Sequence, residues 1–188
     1  PVSDSLPDEI FIRCDGNIDP YILTWVDNTN NTLHIELDDK ECVKPSKPIE
    51  VYIYAHNVTG LTSNSTGEMI CDNIVSASMS LQMLGNGAIF MSNVDIGQIT
   101  ANLSGTGKIE IDGKGISGTY TNFSSGVLTA AQMLLSGNCT AVCGGTGNMS
   151  VYCKGTLVAD PGDYGAVITF YGSPANVIGP VERVVPGN

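Results

Sequence analysis

The sequence predicts an all-β chain whose main body is a parallel β-helix with coils of about 20 residues. Three observations point there. Short strand-like runs open on Gly67, Gly87, Gly107, Gly126, Gly147 and Gly165, at gaps of 18–21 residues. Apolar residues keep the same step: Met83, Leu103, Phe123 and Cys143 are 20 apart, Leu81, Ala101 and Thr121 form a second column, and Ile89 and Ile109 begin a third. Inside the runs, apolar and polar residues alternate with the period of a strand.

The N-terminal region lacks the glycine period. Residues 1–50 carry 11 of the 19 acidic residues. "EIFIRCDG" and "TLHIELDD" alternate as strands, with a turn at Asp15-Gly16 after the first. "VKPSKP" (Val43–Pro48) reads as a link, and "IEVYIYAHNVTGL" (Ile49–Leu61) as the strand that leads into the coils. The expected organisation is an N-terminal arm or cap over 1–31, a β-helix over 32–182 and a tail over 183–188.

From Gly67 onward each coil repeats one phrase. Small and polar residues, as in "SNSTG", "LSGTG" and "GGTG", precede a short strand. Glycine at such a corner is expected to supply a positive φ and a sharp turn. In "KIEIDG", Ile109 and Ile111 face the core while Lys108, Glu110 and Asp112 face out. In "NMSVYCK", Met149, Val151 and Cys153 point in, and Asn148, Ser150, Tyr152 and Lys154 point out. "VLTAAQMLLSG" (Val127–Gly137) has a composition that suits a short helix, but the repeat spacing argues for a strand.

Composition bounds the function. The net charge of −11 repels phosphate backbones and argues against nucleic acid as a partner. The longest apolar candidate, "GAVITFYG", has the length of a strand and falls short of the ~20 residues of a membrane span. The chain starts as a processed secreted protein would, and "VVPGN" is not an obvious natural end. Six cysteines, Cys14, Cys42, Cys71, Cys139, Cys143 and Cys153, show no C-x-x-C metal spacing and predict disulfides whose pairing stays open. Seven N-x-S/T sequons, at Asn30, Asn57, Asn64, Asn102, Asn122, Asn138 and Asn148, predict N-linked glycans and a secreted, extracellular or cell-surface location. Asn102 and Asn122, 20 apart, are expected to stack their glycans along one outer face.

The phrases "KPIEVYIYAHNVTGL", "LSGTGKIEI", "GGTGNMSVY" and the closing "ITFYGSPANV" resemble the head GIN domain family of auto-transporter adhesins over about residues 32–182. That family repeats "SGSGDI"-like phrases and closes on a "Y-x-G-x-P" phrase. The resemblance implies a right-handed β-helix and a bacterial surface or exported setting. The cysteines and sequons depart from the family pattern.

Catalytic equipment is hard to find. His34 and His56 lie in apparent strands without metal-ligand spacing. There is no G-x-S-x-G, and "GTGKIE" lacks the Walker spacing and the following helix. Glu110 and Asp112 share one strand face, but two residues apart on a strand meet a glycosidase separation trivially, and no basic cluster accompanies them. "DGNID" (Asp15–Asp19) and "DPGD" (Asp160–Asp163) place oxygen ligands on turns, a weak calcium signal that turn chemistry also explains. No cofactor is expected.

The reading is therefore a non-catalytic extracellular glycoprotein with a structural or adhesive role. Open β-helix ends and the N-terminal stretch 1–13 suggest strand addition between subunits and a self-associating homopolymer, the repeating unit of a surface filament. A monomeric module that binds carbohydrate or a cell-surface receptor is the alternative, which an exposed aromatic row would favour. A polysaccharide-cleaving β-helix enzyme is the second.

Overall fold

The structure is a computed structural model that describes residues 8–38, 44–55, 57–180 and 182–187. The chain divides into two compact units, residues 1–56 and 57–188.

The N-terminal unit holds two small antiparallel sheets. Strands β1 (Glu9–Arg13) and β4 (Glu50–Tyr54) pair directly, Phe11 opposite Tyr52 and Arg13 opposite Glu50. Strands β2 (Ile22–Asp27) and β3 (Thr32–Leu37) form a hairpin. Its turn is made by side chains: Thr29 N–H donates to Asp27 Oδ1 at 2.9 Å, Thr32 N–H to Asn30 Oδ1 at 3.1 Å, and Asn31 takes a φ of 53°. Asx turns of this kind are why Asp and Asn cluster there. β1 and β3 lie where alternation places them. Residues 49–61 do not form the single strand expected, because β4 pairs back onto β1 and the coils begin later, at Gly60. For the same reason the segment 9–13 is not a free arm: its backbone is already paired within the chain. Residues 1–7 lie outside the described residues.

The C-terminal unit is a parallel β-solenoid of about six turns, with about 20 residues per turn. Its strands are β5 (Gly60–Ser63), β6 (Glu68–Asp72), β7 (Val75–Met83), β8 (Ala88–Leu103), β9 (Lys108–Asn122), β10 (Val127–Leu135), β11 (Cys139–Cys143), β12 (Met149–Tyr152), β13 (Thr156–Asp160), β14 (Ile168–Tyr171), β15 (Asn176–Ile178) and β16 (Val184–Pro186). Every pairing in this sheet is parallel, and β8 and β9 run through corners to serve more than one face. Face 1 stacks β5, β7, β8, β9, β11, β13 and β15. Face 2 stacks β6, β8, β9, β10, β12, β14 and β16. A short third face runs from Val75 through Asp95 and Lys114 to Leu134. The expected strand at 127–135 is present as β10.

The corner glycines follow the period, but their purpose differs from the expected one. Positive φ occurs at Gly165 (87°), and at none of Gly67, Gly87, Gly107, Gly126 or Gly147. What these positions require is room. A Cβ on Gly87 would lie 2.0 Å from the Gly67 carbonyl oxygen, one on Gly107 2.2 Å from that of Gly87, one on Gly126 2.3 Å from that of Gly107, and one on Gly147 1.9 Å from that of Gly126. Each corner rests directly on the corner of the preceding coil. Between the second and third faces asparagines turn the chain instead: Asn73 and Asn93 adopt φ of 60° and 53°, and Asn93 Nδ2 donates to Asn73 Oδ1 at 2.5 Å. Asparagine tolerates this left-handed conformation better than other residues with a Cβ.

The core columns show one slip. Ile89 pairs with Ile109, as expected, but Leu103 pairs with Asn122 and not with Phe123, and Ala101 with Tyr120 and not with Thr121. The coil omits one residue at the corner after Ile111, where the register shifts between Met91 and Val94 of the preceding coil. Phe123 is consequently exposed, and Asn122 is fully buried. The buried amide is satisfied locally: Nδ2 donates to Gly126 O at 2.9 Å, and Oδ1 accepts from Ser124 N–H at 3.1 Å and from Ser124 Oγ at 2.9 Å. Tyr120 fits the core because its stacked neighbours are Ala101 and Ala141, and because a Cβ on Gly118 would lie 2.8 Å from its ring. Its hydroxyl has no hydrogen-bond partner among the described residues.

Two stability measurements check this packing. Gly107→Ala is expected to destabilise the chain by about 1–3 kcal/mol in urea unfolding, since backbone must shift to admit the methyl, while Gly16→Ala, with open space around it, changes little. Tyr120→Phe is expected to raise stability by about 1 kcal/mol, because it removes a desolvated hydroxyl that gains nothing in return.

Candidate binding surface

The solenoid buries the alternate residues of each strand and presents the others as rows, one residue per coil. On face 1 the central row is Ser80, Thr100, Thr119 and Thr140, paired rung to rung. One flanking row is Gln82, Asn102, Thr121 and Val142, and the other begins Ser78, Gln98 and Ser117. No ionisable side chain occupies these rows from Thr62 to Val158; the first is Asp160. Face 2 differs. It exposes Glu68 and Asp72, and its Lys108 pairs with Glu110 at 2.5 Å and sits 5.2 Å over the Phe90 ring. The third face carries an Asp95–Lys114 pair at 2.9 Å.

The N-terminal unit presents aromatics on one side of its β1–β4 sheet. Phe11, Tyr52 and Tyr54 are exposed, Phe11 meets Tyr54 edge-on at 6.1 Å, and Arg13 lies 5.9 Å over Tyr52. Arg13 also pairs with Glu50 at 3.2 Å. On the hairpin, Trp25 stacks flat on His34 at 4.8 Å. This aromatic cluster was not read from the sequence; the pairing of β1 with β4 assembles it from residues about 40 apart.

The residues singled out for chemistry do not converge. His34 is held by Trp25, and His56 lies outside the described residues. Glu110 is engaged by Lys108. Among the described residues no three His, Cys, Asp or Glu side chains come together as a metal site. Both oxygens of Asp15 accept from Ser46, the N–H at 2.6 Å and the hydroxyl at 3.1 Å, which holds its carboxyl below the ordinary aspartate range. Asp160 Oδ1 accepts from Gly162 N–H at 2.9 Å. Asp160 thus ties down its own loop, as turn chemistry predicts, while Asp15 fastens its turn to the link at Ser46, 31 residues further on.

The disulfides expected from the cysteine count do not form among the described residues. Cys14, Cys71, Cys139, Cys143 and Cys153 are free thiols, and Cys42 lies outside the described residues. Cys139 and Cys143 stand at the two ends of β11 and Cys153 directly follows β12; all three are buried in the core, where cysteine packs as a small hydrophobe. Burial pushes the Cys71 and Cys143 thiols up to about 11 and the Cys139 thiol higher still. Thiolate, the reactive form, is therefore scarce at neutral pH.

The sequons fall in different environments. Asn30, Asn57, Asn64, Asn138 and Asn148 are exposed and Asn102 is half-buried. Asn138 Oδ1 accepts from Thr156 N–H and Asn148 Oδ1 from Val167 N–H, each at 2.9 Å. Asn122 does not face outward beside Asn102: the one-residue slip turns it inward, and a glycan cannot fit there.

This is a parallel β-solenoid with patterned outer faces and no assembled catalytic group among its described residues. The family described as "Putative auto-transporter adhesin, head GIN domain" matches residues 2–174, and the chain belongs to that family. It is similar in fold to the crystal structure of a "putative adhesin" from Parabacteroides distasonis, with 18% identity and a TM-score of 0.69 over 98% of this chain and 85% of that one. It is similar also to a "putative adhesin" from Bacteroides fragilis, with 16% identity and a TM-score of 0.76 over 96% of this chain and 82% of that one. No curated protein matches the chain.

Two predictions follow from the burial. Alkylation of the native protein is expected to spare Cys139 and Cys153, and alkylation in denaturant without reductant to label both; a linked peptide would show otherwise. In protein secreted from a eukaryotic host, glycopeptide mapping is expected to find Asn122 unoccupied.

Proposed function

We propose that the chain is a non-catalytic adhesive module, secreted or displayed at a cell surface, that works by presenting a solenoid face to a partner. The observation that carries this reading is face 1. From Thr62 to Val158 it is a continuous sheet surface without ionised groups, on a chain of net charge −11. Charged side chains elsewhere keep such a chain soluble, so a sheet face free of them is suited to close approach. Family membership supports the reading, since the family is described as adhesins. The exposed aromatics of the β1–β4 sheet give the N-terminal unit a second surface on which rings can stack.

The test is saturable binding of labelled protein to intact cells or extracted surface polymers, measured beside release of reducing ends. Binding without release is expected. Release of reducing ends would replace this reading with the polysaccharide-cleaving one.

A second reading is assembly into a surface filament. The last rungs, β15 and β16, each pair on one side only, and unpaired edges template strand addition. Electron microscopy of concentrated protein distinguishes the two: dispersed particles that bind surfaces favour the monomeric adhesin, and ordered filaments favour the polymer. Glycans at exposed sequons would shield the sides of such a filament.

A further inference from the structure

We propose that face 1 binds a neutral polysaccharide chain lying along the solenoid axis, one sugar residue per coil. The proposal rests on the adhesive reading and names its ligand class.

The first argument is electrostatic. The chain carries 19 acidic and 8 basic residues, yet the outward rows of face 1 hold none of them between Thr62 and Val158. Anionic polymers are repelled by the whole molecule. A cationic polymer would find its partners on faces 2 and 3, where Glu68, Asp72 and Asp95 are placed. A neutral polymer can cover face 1 without stripping water from any ion, the costliest kind of desolvation.

The second argument is chemical. Ser80, Thr100, Thr119 and Thr140 offer four hydroxyls on consecutive rungs, and none of them bonds to another of the described residues. A hydroxyl both donates and accepts, and so does the amide group of Gln82, Gln98 and Asn102 beside the row. Sugar hydroxyls have the same dual character, so each can be satisfied in either sense as the polymer settles. The Thr methyls, with Val142 and Val158 at one end, supply apolar surface for the C–H faces of the rings.

The third argument is spacing. Successive rungs of a parallel sheet lie about 4.8 Å apart. That is close to the advance per residue of an extended β-linked pyranose chain, so one contact can recur coil after coil. A second copy of the chain is a poorer occupant, because the face is mostly polar and a stable self-interface needs a more apolar centre. Ice is poorer too, because the longer Gln and Asn side chains flank the hydroxyl row and spoil its flatness.

The experiment is co-sedimentation of the full chain with four insoluble probes: β-1,4-glucan, chitin, β-1,3-glucan and β-1,4-mannan. Binding to at least one is expected, little changed between low and high salt. Thr119→Arg, which puts a bulky charge in the centre of the row, is expected to weaken it at least tenfold. Thr100→Asp serves if the first variant loses its fold by circular dichroism. Asp112→Asn, outside face 1, is expected to leave binding unchanged. If the protein binds one of the probes or cells but Thr119→Arg binds equally well, face 1 is not the site and the adhesive reading stands. If it binds cells but none of the four probes, the ligand class is wrong and the adhesive reading again stands. If it binds neither, both fall. Thermal hysteresis, a dimer abolished by Thr119→Arg, or a glycan found on Asn102 or Asn138 of the native protein would each overturn the proposal.

Discussion

The structure depends on the distance between one coil and the next. A parallel solenoid has no independent element to fall back on: each coil is held by the backbone hydrogen bonds it makes to its neighbours. At the corners those neighbours approach so closely that a Cβ at Gly87, Gly107, Gly126 or Gly147 would lie about 2 Å from a carbonyl oxygen of the coil before it. The glycine period is therefore a stacking requirement. Where a side chain does stand at such a corner, as at Ser124, its hydroxyl is absorbed locally by accepting from Gly126 N–H at 3.0 Å.

The same pitch governs the interior. Each inward residue lies against its counterpart one coil away, so sizes must be balanced along the column. Tyr120 stands between Ala101 and Ala141 for that reason, over the space left by Gly118. The loss of one residue after Ile111 would expose an amide to an apolar column. Asn122 survives there because Ser124 and Gly126 complete its hydrogen bonds within four residues. A buried amide with every group partnered costs little, and one without would cost about 1–3 kcal/mol.

The outer faces inherit this regularity, which links fold to function. Since every coil repeats the same geometry, a side chain chosen once per coil becomes a row. On face 1 the rows are neutral and mostly hydrogen-bonding as far as Val158; on face 2 they include paired ions such as Lys108 and Glu110.

Much of this was legible in the sequence. The coil length, the inward placement of Ile109, Ile111, Met149 and Val151, and the strand at 127–135 all follow from spacing, because each coil sees nearly the same environment as the last. Only the tertiary structure decided register. The gap of 19 between Gly107 and Gly126 shows that a residue is missing, but not at which corner. A one-residue slip on a strand exchanges inside for outside, so Phe123 went to the surface and Asn122, read as an outward sequon, went to the core. The free thiols were likewise invisible, since six cysteines count the same whether they cross-link loops or fill a core. The partnering of β4 with β1 was hidden too, because alternation marks a strand and says nothing of its neighbour.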